Sequence, residues 1–127
     1  MSDWKYFTEN ELRCSGTGDC HMDKNFMFKL NKLREDYNKP MIVSSGYRDI
    51  SYNTAIGGSP NSAHTYGKAV DIVTGGTEAY RLLRLAVIHG FQGIGVSQRG
   101  NFGRRFLHLD TMDDSDKHPR PWVWSYK

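Results

Sequence analysis

SSGYRDISYNTAIGGSPNSAHTYGKAVDIV, residues 44–73, is the stretch whose reading decides the fold. Its last residues, Ala69 to Val73, form a short apolar run interrupted by one carboxylate, Asp71. Such a run, bounded by turn residues, reads as a buried strand. A carboxylate flanked by Val70 and Ile72 needs a partner, because burying an unpaired charge is costly. A metal, an arginine or a cluster of backbone amides would serve. Seven residues earlier stands His64, within a segment from Ser51 to Gly67 that is rich in Gly, Ser, Asn and Pro and reads largely as loop. Gly67 lets the chain turn between His64 and Asp71, so both side chains can converge. On the other side, Met41, Ile42 and Val43 form a second apolar run, a buried strand that enters SSGYRD.

Working outward, Thr8 and Glu11 make a Thr-x-x-Glu pattern, the mark of a capping box on a short turn. From Asp23 to Tyr37, Phe26, Leu30, Leu33 and Tyr37 recur at helical spacing, and Asn38, Lys39 and Pro40 end that helix. After AVDIV, Gly75 and Gly76 break the strand and Thr77 can cap a helix from Glu78 to His89. Leu82, Leu83, Ala86 and Val87 give that helix an apolar face, and Gly90 terminates it. Three short strands follow, Gln92 to Val96, Arg105 to Thr111 and Trp122 to Tyr126. A helix, then strands around one more helix, predicts an α+β domain. The links between the last strands are too short for helical crossovers, which predicts an antiparallel meander. Trp122 and Trp124 share a face of the last strand and are expected to pack in the core.

His108, in RFLHLDTM, is the second histidine in a suggestive context. Strand alternation puts it on one face with Phe106 and Asp110, while Leu107 and Leu109 face the other way. Two imidazoles and a carboxylate are a usual ligand set for catalytic zinc, with a fourth position left to water. By spacing alone, a satisfied structural histidine is the alternative. His21, His89 and His118 are given no role; His89 falls at a helix C-terminus, where a cationic imidazole is favourable.

Ser45-Gly46-Tyr47-Arg48, followed by Ser62-Ala63-His64-Thr65-Tyr66-Gly67-Lys68-Ala69-Val70-Asp71, resembles the signature of the D-alanyl-D-alanine peptidase and hedgehog-type zinc fold. Phe106-Leu107-His108-Leu109-Asp110 resembles the third-ligand strand of that family, and FTENELRC with the helix after it resembles its small phage and bacterial members. The resemblance covers nearly the whole chain. It implies a single zinc peptidase domain over 1–127, of hedgehog/DD-peptidase type, with Zn2+ on His64, Asp71 and His108. It also implies cleavage of peptidoglycan peptides, commonly beside a D-amino acid, as in an endolysin or a D,D- or L,D-peptidase. In one respect the chain departs from the family. Several members carry a Glu, Asp or His two or three residues before the third ligand as general base, whereas Phe106 and Arg105 stand there and cannot serve. The His-x-Asp strand offers Asp110 instead, either as base or as a carboxylate orienting a ligand imidazole. Arg48 is expected to neutralise an oxyanion or hold a substrate carboxylate, or else to form a structural ion pair. Ser62 and Tyr47 either line the pocket or bond to loop backbone. Without a usable base, the chain would be a catalytically silent, zinc-stabilised wall-binding or phage structural module.

The 127 residues suffice for one core without a disulfide framework. A formal charge of only +3, scattered along the chain, suits an anionic wall and argues against nucleic acid. No apolar run reaches the roughly 20 residues of a membrane helix, so no membrane insertion is expected. MSDWKYFTENEL carries no apolar segment of signal-peptide type. Synthesis in a cytoplasm is therefore expected, with the wall reached through a pore, by lysis or in a virus particle. A monomer is expected. Cys14 and Cys20, in LRCSGTGDCHMD, read as two reduced thiols in a loop; a short-loop disulfide after export and a second metal site with His21 are the alternatives.

Overall fold

The computed structural model describes residues 4–126; the first three residues of the MSDWKYFTENEL stretch lie outside them. The elements run α1 (Glu9–Leu12), α2 (Lys24–Tyr37), β1 (Ile42–Ser45), α3 (Ile50–Ala55), a 3-10 turn (Ala63–Tyr66), β2 (Ala69–Val73), α4 (Gly76–Ile88), β3 (Gly93–Ser97), a second 3-10 turn (Phe102–Arg104), β4 (Phe106–Asp110) and β5 (Trp122–Ser125). The class is the α+β one expected from the sequence.

Local chemistry explains most boundaries. Thr8 and Glu11 form the expected capping box on α1. Asp23 caps α2 by accepting from the Phe26 amide, and Asn38 closes it in the left-handed conformation that asparagine tolerates. The stretch 51–67 is less irregular than its composition suggests, since it holds most of α3 and the first 3-10 turn. Thr77 does not cap α4. That helix starts two residues earlier than expected, at Gly76, with Gly75 as its N-cap and no side-chain cap bond. Its buried face is Ala79, Leu82 and Ala86, while Val87 is exposed.

The five strands are ordered β1-β2-β4-β3-β5. β2 pairs antiparallel with β1 and with β4, and β4 pairs antiparallel with β3. β5 departs from the expected meander by pairing parallel with β3. The reason is topological. A meander would seat β5 beside β4, but β2 and β3 already hold both edges of β4. The chain leaving Asp110 emerges beside Gly93 at the start of β3 and crosses to the free edge of that strand, so it runs in the same direction.

One face of the sheet is dry. Val70, Ile72, Ile94, Leu107 and Leu109 pack there with Phe26, Leu30 and Leu33 of α2 and Leu82 of α4. The residues alternating with them therefore point to the opposite face. On that face Ser45, Asp71, His108, Gly95 and Trp124 stand in register across all five strands. The next row holds Ala69, Asp110, Gly93 and Trp122.

Candidate metal centre and cleft

The row through Asp71 and His108 brings the two side chains together as direct cross-strand neighbours on the interior strands β2 and β4. His64 arrives from the 3-10 turn, whose first amides are organised by Ser62 accepting from the His64 N–H. Gly67 then turns back at φ +69 into β2. A Cβ at Gly67 would meet the His21 carbonyl oxygen at 2.0 Å, so only glycine lets the turn nest against that segment.

The three side chains are buried. His64 Nε2 lies 3.2 Å and His108 Nδ1 lies 3.1 Å from the same oxygen, Asp71 Oδ1. One nitrogen from each ring and a carboxylate oxygen all fall within 4.8 Å of one another. The far nitrogens are occupied. His64 Nδ1 donates to the Gly46 carbonyl at 2.7 Å, and His108 Nε2 donates to Asp110 Oδ2 at 2.7 Å. Those bonds leave one near nitrogen on each ring, Nε2 of His64 and Nδ1 of His108, facing Asp71 Oδ1, where a metal would take the place of the proton. Two borderline nitrogen donors and one hard oxygen, each aimed at a common point, suit a transition-type divalent ion and fit zinc.

The electrostatics follow from burial and pairing. Burial pushes the His64 imidazole down, against the pull of Asp71. Burial also disfavours charge on His108, but its bonds to Asp110 and Asp71 outweigh that and raise it. Burial would raise Asp71, yet the two imidazoles hold it well below the usual carboxylate range. Asp110 is lowered to about 2, because His108 and Arg120 overcome its burial.

Asp110 is enclosed. Its Oδ1 accepts from the Met112 amide at 3.2 Å and from Arg120 Nε at 3.0 Å, and its Oδ2 accepts from His108 and from Arg120 Nη2 at 2.8 Å. A carboxylate has about four acceptor positions, and here all are taken. The seat exists because β3 carries glycine opposite: a Cβ at Gly93 would lie 2.1 Å from Asp110 Oδ1. Gly95 does the same for Trp124, whose Nε1 would be 2.7 Å from an added Cβ.

Arg48 stands on the other side of the centre. Its Nη2 is 3.7 Å from Asp71 Oδ2, while Nε bonds Ser45 Oγ and Nη1 bonds Asn53 Oδ1, each at 3.1 Å. Tyr47 turns to Asp49, whose Oδ1 it reaches at 2.9 Å, and Ser62 serves the loop backbone. Cys14 and Cys20 are free thiols. His21 packs edge-on to Tyr47, and His89 pairs with Asp36 at 2.9 Å.

A cleft of about 560 Å³ opens over the three residues. Trp122 and Trp124 are not core residues. Trp122 is 55% exposed, and both line the cleft, with the Trp124 ring 5.0 Å from that of His108. Alternation does put both on one face, but β5 is an edge strand and that face is open, with no helix among the described residues covering it. The segment 111–121 forms another wall. There His118 donates through Nε2 to the Asn61 carbonyl, and Lys117 and Arg120 also line the space. Arg120, His118 and the two β3 glycines were not singled out from sequence. Alternating glycines inside GIGV are the one signal that something bulky packs above that strand.

A family model described as peptidase M15 matches residues 5–110. The chain belongs to the peptidase M15 family. A zinc D-Ala-D-Ala carboxypeptidase of Streptomyces albus G is 38% identical to it over 69 residues. That match covers 54% of this chain and 27% of the Streptomyces protein, so it spans well under half of that relative's length. This M15 family member thus carries its three convergent donors on the open face of the sheet, beneath a cleft with cationic and aromatic walls.

Proposed function

We propose that the chain is a zinc metallopeptidase that hydrolyses amide bonds in peptidoglycan peptides. The observation that carries this is the convergence of His64, Asp71 and His108 on one point at the floor of a cleft. The family and the Streptomyces carboxypeptidase support the chemistry and the substrate class. When bound, zinc supplies Lewis-acid polarisation of a carbonyl and acidification of water. The chain's own residues do the rest. His64 and His108 turn Nε2 and Nδ1 towards the metal point because Gly46 and Asp110 hold their far sides. Arg48, pinned by Ser45 and Asn53, offers a guanidinium beside the centre to a developing oxyanion or a substrate carboxylate. Of the two roles open to Asp110, orientation of His108 is the one its four filled acceptor positions support. The finer reading is an endolysin or a D,D- or L,D-peptidase acting as a monomer, made in a cytoplasm and reaching the wall by lysis, a pore or a virus particle.

The test is digestion of purified peptidoglycan by the zinc-loaded protein, with the new termini identified by mass spectrometry. New amino and carboxyl termini within the peptide, lost on chelation, are the expected result. Zinc binding without new termini on any wall peptide would instead favour the silent binding module.

A further inference from the structure

The guanidinium of Arg120 is a buried cation within the cleft wall, its side chain only 6% exposed. It sits outside the segment matched by the family model, which ends at residue 110. Its Nε and Nη2 grip both oxygens of Asp110 at 3.0 and 2.8 Å, and Nη1 donates to the Pro119 carbonyl at 2.7 Å. Its plane lies over Trp124, 5.3 Å from the ring centre. The backbone that delivers it is itself tied down. The Arg120 amide donates to Asp114 Oδ1 at 2.8 Å, and His118 is latched to the Asn61 carbonyl.

We infer that Arg120 is a positioning residue: it fixes the plane of Asp110, and through it the ring of His108, so that Nδ1 faces the metal point. This rests on the reading of His108 as a ligand. Without Arg120, His108 and the Met112 amide would each hold one oxygen of Asp110, which leaves the carboxylate room to rock about its last torsion. Two parallel N–H bonds from one rigid fork remove that freedom. Asp110 Oδ2 is then held at the place where the His108 Nε2–H must point, and Nδ1 is left open opposite. Gly93 supplies the space in which carboxylate and fork meet. Arg120 touches no ligand atom itself, and its effect passes through Asp110. The segment 111–121 is thereby more than a link between β4 and β5. It brings His118 to the loop three residues before His64 and Arg120 to the residue two after His108, and so braces both sides of the centre.

The experiment uses the full chain in five forms: wild type, Arg120→Ala, Arg120→Lys, Asp110→Asn and the double variant of Arg120→Ala with Asp110→Asn. Zinc affinity is measured on metal-free protein by competition with a chromophoric chelator. The His108 ring is followed in the same metal-free protein by long-range nitrogen–proton NMR. In the wild type, the His108 proton is expected on Nε2. Arg120→Ala should weaken zinc binding about tenfold to a hundredfold, the scale for partners that orient a ligand, and should mix the two His108 tautomers. In the Asp110→Asn background the same change should add less than about twofold, because its route is already cut. Arg120→Lys keeps the cation but not the fork, and should recover only part of the lost affinity. It also replaces Arg120→Ala in the cycle if the alanine variant fails to fold. Unchanged affinity and an unchanged His108 signal would overturn the inference. So would losses that multiply in the double variant. No peptide enters these measurements. A chain that binds zinc but cuts no wall peptide would overturn the peptidase reading and leave the role of Arg120 standing.

Discussion

Asp110→Asn separates the two roles that a carboxylate near this centre can play. Four donors converge on Asp110: His108 Nε2, Arg120 Nε, Arg120 Nη2 and the Met112 amide. Asparagine offers one carbonyl oxygen with two acceptor positions, and an amide nitrogen that only donates. At least two of the four donors lose their partner, and the new N–H groups face other N–H groups. Each buried donor left unpaired costs roughly 1–3 kcal/mol, so the sum is roughly 2–6 kcal/mol. Breaking a buried ion pair from one side gives a similar roughly 3–5 kcal/mol. Against a total stability of roughly 5–15 kcal/mol, this is a large loss. Denaturant unfolding of metal-free protein, followed by circular dichroism, measures it. Zinc affinity should fall in parallel by about tenfold to a hundredfold as His108 loses its orientation. A different outcome would refute this reasoning: stability within about 0.5 kcal/mol and unchanged zinc affinity, with turnover down about a hundredfold or more. Asp110 would then be the group that takes the proton, and its four-donor seat would not exist in solution.

Gly93→Ala pushes a methyl to within 2.1 Å of Asp110 Oδ1. It should weaken zinc binding by about tenfold with little change in secondary structure; affinity equal to wild type would mean that the Asp110 seat does not control His108. Chelation should abolish turnover but leave the chain folded, because the packed cluster lies on the opposite face of the sheet from the three donors; circular dichroism that collapses with chelator would contradict this. Acid should act through Asp110. Its folded value of about 2 lies below its ordinary 3.8, so its contribution to stability is present above about pH 4 and is lost as pH falls towards 2. Acid unfolding of Asp110→Asn should lack that component. His108 holds its proton more strongly than an ordinary histidine, so protons should compete with zinc, and affinity should fall as pH drops through the His108 range. An affinity independent of pH between about 5 and 8 would count against His108 as a ligand.

Much of this fold was legible because its elements announce themselves locally. The α2 stripe of Phe26, Leu30, Leu33 and Tyr37 is buried as its spacing requires, and the apolar runs of β2 and β4 become adjacent interior strands. His64, Asp71 and His108 could be singled out because a histidine in a glycine-rich loop and polar residues inside apolar strands are locally anomalous. What escaped depends on partners far apart in sequence. Nothing around Trp122 and Trp124 says that β5 will find both edges of β4 taken and settle on the open face. Arg120 follows a turn-rich, polar segment that reads as ordinary surface, and only the folded chain places its fork on Asp110. The Asp110 question could be framed from the HLD pattern but not decided. Alternation gives the face a side chain points to, not how many donors await it there.

The most direct test of the central claim is a zinc titration of metal-free protein, with hydrolysis of a defined wall stem peptide as the readout. Activity should rise in proportion to added zinc and level off at about one ion per chain. In His64→Ala and His108→Ala, the same titration should give no activity. A wild type that stays inactive at saturating zinc, or histidine variants that titrate like the wild type, would contradict the account.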